Sequence, residues 1–315
     1  MLTIFTIPKP FAEDFNVIQR NAIQSWIKVY PDCEIVLFGD ELGTSEIARE
    51  FKVEHIPYVK CNEYGTPLVD SMFEQIQQVA KYDLLCYINS DIILMKDFAD
   101  TLRRIRFKRF LVIGQRWDLD LKEALDFASP DWEKRLRRLV SEHGKLHPPW
   151  GSDYFVFLRD RNVLKLPPFA VGRTIYDNWL IWWARSLNMP VIDATRTITC
   201  IHQNHVRTYS SIKKQTVEGV DNLRESVEAQ INYALAGNAR IFILLDATHI
   251  ITPRLILPAF EVKYLIRHLE TQPILFPERH IRNLFFKIIA RLGLMTYHFW
   301  KSKKSARPTS LKSLF

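Results

Sequence analysis

The sequence predicts an α/β protein with a mostly parallel central sheet flanked by helices, and three observations lead there. Over the first 120 residues, short apolar and β-branched runs alternate with stretches of helical periodicity, the pattern that strand-helix-strand units impose on a chain. Several of those runs end in polar residues, at the place where ligands gather in parallel sheets. The 315 residues, 47% of them hydrophobic, suffice for one large domain or two modest ones.

Taken in order, Leu2–Ile7 reads as a strand stopped by the Pro8-Lys9-Pro10 turn. Phe15–Tyr30 places Val17, Ile18, Ala22, Ile23, Trp26 and Val29 on one helical face. Cys33–Asp40 is the next strand, Thr44–Phe51 a helix, Val53–Val59 a short strand and Thr66–Tyr82 a helix. Asp83–Leu94 reads as a single apolar strand that ends in polar residues, and Arg109–Asp120 as a further strand with Gln115, Arg116, Trp117 and Asp118 at its exit. The charged stretch Leu121–Leu146 is expected to be helical, with Trp132, Leu136 and Leu139 on its buried side, followed by strand character from Trp150, a helix after Asp177 or Asn178, and strand then polar loop over Met189–His205. A helix over Thr216–Ala236 and a short strand at Ile241–Leu245 complete the body.

Composition excludes several classes of function. Cys33, Cys61, Cys86 and Cys200 are widely spaced, so neither a disulfide scaffold nor a cysteine-built zinc site is expected. Pro8 and Lys9 interrupt the apolar start where a signal peptide would continue, and no run approaches the roughly 18 apolar residues of a spanning helix. A cytoplasmic chain is expected. The net charge of +8 resides in the tail: Arg279–Phe315 holds nine Lys/Arg and no Asp or Glu, while residues 1–278 hold 34 basic and 35 acidic side chains. No nucleic-acid partner is expected for the body. Nucleophile-elbow, Walker and dinucleotide glycine motifs are all missing.

Three clusters can carry chemistry. Asn89-Ser90-Asp91 follows an apolar run and can hold a hard divalent cation through oxygen, although a polar strand-to-loop cap uses the same residues. Asp177, in Tyr176-Asp177-Asn178, stands just before a helix, as a cap accepting backbone N–H groups or as a general base. In Ile201-His202-Gln203-Asn204-His205, two histidines three apart can supply an imidazole ligand and the two amides between them donors for phosphate oxygens, or the whole can form a solvated loop.

In their order along the chain these pieces resemble the GT-A-type glycosyltransferases, the nucleotide-diphospho-sugar transferase superfamily. Asn89-Ser90-Asp91 falls where that superfamily has its DxD motif, with Asn89 replacing the first acid. Tyr176-Asp177-Asn178 resembles the acidic motif in which inverting members keep their base. WGSDYFVF, LPPFAVGRTIYDNWLIWWAR, VIDATRTITCIHQNH and LLDATH resemble a little-characterised group of GT-A-like proteins. The resemblance implies a domain over 1–256, with a nucleotide-binding half (1–120) and an acceptor half (121–256), followed by a helical basic extension (257–315). It implies transfer of a sugar from a nucleotide diphosphate sugar to a glycan or lipid-linked hydroxyl, assisted by Mn2+ or Mg2+.

On that resemblance, Asp91 would hold the cation, assisted by Asn89 or His205, and Asp177 would be the base. Thr6, Ile7, Asp40, Asp70, Ser71 and Ser90 would line the nucleotide site. Arg116, Asp153, Arg173 and Arg207 would meet the donor sugar or its phosphates, guanidinium groups being suited to phosphate oxygens, and Trp117 would pack on a sugar ring or in the core. A sugar nucleotidyltransferase would want a glycine-rich loop where Pro8-Lys9-Pro10 stands; a non-catalytic glycan- or nucleotide-binding protein of the same fold is the other alternative. Finally, Ile281, Leu284, Phe285, Ile288, Leu292, Met295 and Phe299 form one stripe with basic flanks, the composition of an interfacial helix on an anionic membrane.

Overall fold

A computed structural model describes residues 1–160, 164–205 and 226–278. The chain divides into two compact units, Met1–Pro258 and Ala259–Phe315.

The first unit is the expected α/β body. Five strands, β1 (Leu2–Thr6), β2 (Glu34–Phe38), β3 (Glu54–Ile56), β4 (Leu84–Ile88) and β6 (Leu111–Ile113), join β9 (Tyr154–Leu158), β10 (Val191–Asp193), β12 (His249–Ile251) and β13 (Ile256–Pro258) in one sheet. Its order is β13-β12-β10-β6-β9-β4-β1-β2-β3. Pairing is parallel from β4 through β1 and β2 to β3, and again for β6–β10 and β10–β12. It is antiparallel where β9 inserts between β4 and β6 and at the β12–β13 edge.

Apolar residues on both faces of β1, β2 and β4 account for their burial under helices α1 (Glu13–Val29), α2 (Thr44–Phe51), α3 (Val69–Val79) and α4 (Lys96–Leu102), since a parallel sheet must be covered twice. The main core gathers Leu2, Ile4, Ala22, Ile23, Trp26, Ile35, Leu37, Cys86, Ile88 and Val112. At about 1.5–3 kcal/mol for each large side chain buried, this cluster is the principal source of stability.

Two of the expected strands are each divided. Asp83–Leu94 forms β4 and β5 (Ile92–Leu94), separated by Asn89-Ser90-Asp91, and Arg109–Asp120 forms β6 and β7 (Trp117–Leu119). β5 and β7 leave the main sheet for a second one, ordered β5-β11-β7-β8, with β8 (Lys145–Leu146) and β11 (Cys200–Gln203). The second division occurs at Gly114. A Cβ there would lie 2.3 Å from the Tyr154 hydroxyl and 3.2 Å from the Thr195 amide, so only glycine permits this crossing.

Two other expectations are corrected. Of Leu121–Leu146, expected to be helical, only Trp132–His143 forms a helix, α5; Pro130 lacks the amide donor that a helix running through it would need. Ile241–Leu245 is not a strand: Gly237–Ile241 and Leu244–Asp246 are tight helical turns of five and three residues, the second closed by the Asp246 carboxylate accepting from Ile243 N at 2.9 Å. Of the helix expected over Thr216–Ala236, Val227–Ala236 is helical and 216–225 lie outside the described residues.

Within the second unit, Val262–Leu275 is helical. The amphipathic stretch from Arg279 to Phe315 lies outside the described residues. Among the described residues no helix is long and apolar enough to cross a membrane.

Candidate functional site

The break between β4 and β5 is where the chemistry collects. Here the chain leaves one sheet and enters another, so the Asn89-Ser90-Asp91 turn sits at the carboxyl end of a central strand. β11 pairs antiparallel with β5 in the register His202↔Ile92, which returns the histidine loop to this turn. Asp91 Oδ2 lies 3.0 Å from His205 Nε2 and 3.5 Å from His202 Nε2. One ligand atom from each of Asp91, His202 and His205 fits within 4.8 Å of the others. Burial alone would raise the Asp91 carboxyl, but hydrogen bonds and charge from His202 and His205 outweigh it and hold the group well below the usual carboxylate range. Burial would lower His202, yet Asp91 raises it above its ordinary value.

The cluster passes a test for a divalent cation. Asp91 Oδ1 is buried with no hydrogen-bond partner, and a carboxylate oxygen so placed is costly unless something completes its coordination. Two imidazoles and one carboxylate form a mixed nitrogen and oxygen set that suits Mn2+ or another first-row ion better than Mg2+, which favours oxygen alone.

Asn89 takes a different place from the one its motif position implies. Its Nδ2 donates to Asp153 Oδ1 at 2.8 Å and its Oδ1 accepts from the Tyr176 hydroxyl at 3.3 Å. The carboxamide is therefore engaged at both ends. Asp153, 6% exposed, in turn receives Arg116 Nη1 on both oxygens at 2.7 Å. Arg116 Nε donates to Asp118 Oδ1 at 2.8 Å, and Asp118 Oδ2 lies 2.7 Å from His147 Nδ1. His202 Nδ1 is 3.5 Å from Asp118 Oδ1, which closes the network back onto the Asp91 cluster.

The Arg116 guanidinium is thus a buried internal cation, neutralising two carboxylates. Removing one member of such a pair leaves an uncompensated charge, typically at about 3–5 kcal/mol. Arg116→Met should accordingly lower chemical-denaturation stability by that order, while Arg159→Met, at a pair whose Asp83 partner is 75% exposed, should cost under about 1 kcal/mol.

Asp177 occupies the first turn of α6 (Tyr176–Ser186). Ile175 caps that helix at φ +96°, a left-handed backbone that a β-branched residue rarely adopts and that marks strain beside a functional group. Burial and the nearby Asp153 charge push the Asp177 carboxyl up to about 6, against backbone hydrogen bonds from Asn178 and Ser152 that favour its ionised form. Such a value suits a group that takes a proton near neutrality.

Thr6 Oγ1 at the end of β1 and Asp70 Oδ1 in the first turn of α3 are also buried without a hydrogen-bond partner. Ile7 packs where Gly39, at φ +87°, would otherwise carry a Cβ, 3.3 Å away, and Asp40 beside it is exposed. Ser71 Oγ accepts from Lys60 N at 3.0 Å. Ser90 Oγ donates to Gln19 Oε1 at 2.8 Å, and Gln19 also holds Lys9 of the first turn through two backbone bonds.

Arg173 pairs with Glu228, which accepts from Asn62 Nδ2 at 2.7 Å. Arg207 lies outside the described residues. Trp117 packs, partly buried, on the small core of Ile93, Met95, Leu119, Leu121, Leu136, Val140 and Ile201, so its indole serves the second sheet. Asp118 and His147 carry no role in the sequence reading, their only signal being position at a strand exit and before a Pro-Pro pair. Gln203, expected to offer its amide to phosphate oxygens, is 0% exposed and donates instead to Ile18 O and Asp91 O.

No protein-family profile matches the chain, and no curated protein does. Among solved structures it is similar to GalNAc-T7 in complex with UDP, GalNAc and Mn2+, at 14% identity and TM-score 0.44, over 72% of this chain and 48% of that one. It is similar to TarS 1-349 of S. aureus in complex with UDP at 13% identity and TM-score 0.29, over 40% of this chain and 38% of that one. A further structure of TarS 1-349 of S. aureus is similar at 10% identity and TM-score 0.39, over 87% of this chain and 73% of that one. With every one of these scores below 0.5, the functional reading rests on the site's own geometry.

Proposed function

We propose that the protein is a metal-assisted glycosyltransferase, moving a sugar from a nucleotide diphosphate sugar to a hydroxyl of a glycan or lipid-linked acceptor with inversion. The observation that carries this is the short bridge between the two reactive ends of the site. The Asn89 amide and carboxamide both bond Asp153, at 2.9 and 2.8 Å, and the Asp153 charge is felt at Asp177, where it helps to raise the carboxyl. Asp153 thereby stands between the Asn89-Ser90-Asp91 turn and the candidate base.

Asp91, His202 and His205 would hold the cation, here proposed as Mn2+. When bound it would supply Lewis-acid stabilisation of the charge on the departing diphosphate. Asp177 would take the proton of the acceptor hydroxyl as its oxygen attacks the anomeric carbon. Ser152 and Asn178 fix the direction of that carboxylate, and burial sets its basicity. Thr6 and Asp70, with their unpartnered buried oxygens, supply polar contacts for the nucleoside, with Ile7, Asp40, Ser71 and Ser90 beside them. The Arg116–Asp153–Asp118 network holds the floor of the site rigid, and Arg173 and Arg207 are the cations proposed for the phosphates.

The test is hydrolysis of a panel of UDP- and GDP-sugars by the full chain with and without Mn2+. Mn2+-dependent release of the nucleoside diphosphate is expected. Nucleotide-dependent thermal stabilisation with no release from any donor, in acceptor extracts as well, would instead identify a binding protein.

We further propose that the stretch 279–315, from its sequence alone, seats the enzyme on an anionic membrane next to its acceptor. Full-length protein should float with phosphatidylserine liposomes, more weakly as salt rises. Protein ending at residue 278 should remain in the soluble fraction while keeping its donor hydrolysis.

A further inference from the structure

Helix α1 touches the segment 90–94 with polar groups that are themselves completely buried. Gln19, Ser25 and Trp26 are each 0% exposed and Asn21 is 1% exposed. Gln19 Oε1 accepts from Ser90 Oγ, Trp26 Nε1 donates to Ile92 O at 2.8 Å, and Ser25 Oγ accepts from Leu94 N at 3.1 Å. Asn21 does something else. Its Nδ2 donates to Gln203 Oε1 at 3.0 Å and to Glu123 O at 2.9 Å, and its Oδ1 accepts from Leu125 N at 2.9 Å.

Gln203 stands between the two histidines of the cluster and is 0% exposed. Its Nε2 donates to Ile18 O at 2.8 Å and to Asp91 O at 3.1 Å, and its backbone amide reaches the same Asp91 carbonyl at 3.3 Å. All four side-chain N–H groups of the two amides are thus used, on Gln203 Oε1, the loop after β7, α1 and Asp91. An apolar pair of similar size would fill the volume without desolvating four donors, so packing alone does not account for these residues.

We infer that Asn21 and Gln203 are positioning residues that aim His202 and His205 at Asp91; this rests on the reading of that cluster as a cation site. The reason is register. Successive residues of a strand face opposite sides, so Gln203 turned toward α1 leaves His202 turned toward Asp91 and Asp118. A one-residue slip of β11 would exchange them. An apolar residue at 203 would tolerate the slip, whereas an amide whose donors match two particular carbonyls does not. The second bond to Asp91 O also ties the carboxylate's own backbone to the strand bearing the imidazoles.

The test compares the wild type with Gln203→Leu, Asn21→Leu and the Asn21→Leu/Gln203→Leu double variant, in full-length protein without donor. Mn2+ affinity is read from the loss of the free-ion EPR signal, and thermal stability is measured separately in chelator. Each single variant should lose about 10- to 100-fold in Mn2+ affinity, the usual effect of removing an outer-shell partner. The double variant should regain thermal stability relative to Gln203→Leu without regaining affinity. Affinity that recovers together with stability, or Gln203→Leu binding Mn2+ as the wild type does, would overturn the inference. Should those variants fail to fold, Asn21→Ala keeps the Gln203 bonds to Asp91 and Ile18, and an unchanged Mn2+ affinity there is equally contrary. Asp91→Asn is the control: if the wild type binds no Mn2+, or Asp91→Asn binds it equally well, the cation reading falls and the positioning role with it.

Discussion

Asp91→Asn should abolish sugar transfer and weaken Mn2+ binding by more than about 100-fold, because it removes the one charged ligand of a half-buried three-ligand set. Donor-hydrolysis assays and Mn2+ titration read the two losses separately. The substitution also has a signature in the metal-free protein. The folded Asp91 carboxyl is held below its ordinary range by His202 and His205. It therefore contributes stability that is present above the unfolded-state value and lost as pH falls through the folded one. Metal-free wild type should lose stability below about pH 4 more steeply than Asp91→Asn, as followed by urea unfolding at a series of pH values. Parallel curves would show that the two imidazoles do not hold this carboxylate.

Asp177→Asn should lower kcat by about 10²–10⁴, the usual contribution of a general base, while leaving the KM for the donor unchanged. In the wild type the base must be ionised, so kcat should rise along an acidic limb centred near the raised value of about 6. That limb should vanish in the variant. Stability runs in the opposite direction. A carboxyl raised by burial favours the folded state while protonated, and that contribution is lost as pH rises through about 6. At pH 8 the asparagine variant should thus melt higher than the wild type, an exchange of stability for function common at active sites. A fall in donor affinity with kcat preserved would make Asp177 a binding residue instead.

The parts of the fold that could be read from the chain are those where burial leaves a periodic trace. β1, β2, α1 and α3 each show it, and their order alone predicts a mostly parallel sheet. The divided strands could not be read, because Leu84–Ile88 and Ile92–Leu94 are equally apolar on either side of the turn. The need for glycine at position 114 becomes visible only once Tyr154 is beside it. The antiparallel insertion of β9 is invisible for the same reason: its five residues pack alike in either direction.

The site was legible in its chemistry and not in its partners. Asp91, Asp177 and the histidine loop stood out as polar residues after apolar runs, but the buried amides of α1 did not. A periodicity count records only the apolar residues of α1, so it gives no sign that Asn21 and Ser25 are buried. That Asp153, 37 residues away, takes both its oxygens to the Arg116 guanidinium leaves no local trace in the sequence.

The central claim is that Asp91, His202 and His205 hold a divalent cation against the diphosphate of the donor. Pulsed EPR of the full chain loaded with Mn2+ and a nucleoside diphosphate addresses it in one sample. The expected spectrum carries nitrogen couplings from two imidazoles together with phosphorus coupling from the nucleotide, the nitrogen couplings being lost in Asp91→Asn. A Mn2+ signal coupled to phosphorus and water alone, identical in the wild type and the variant, would contradict the account.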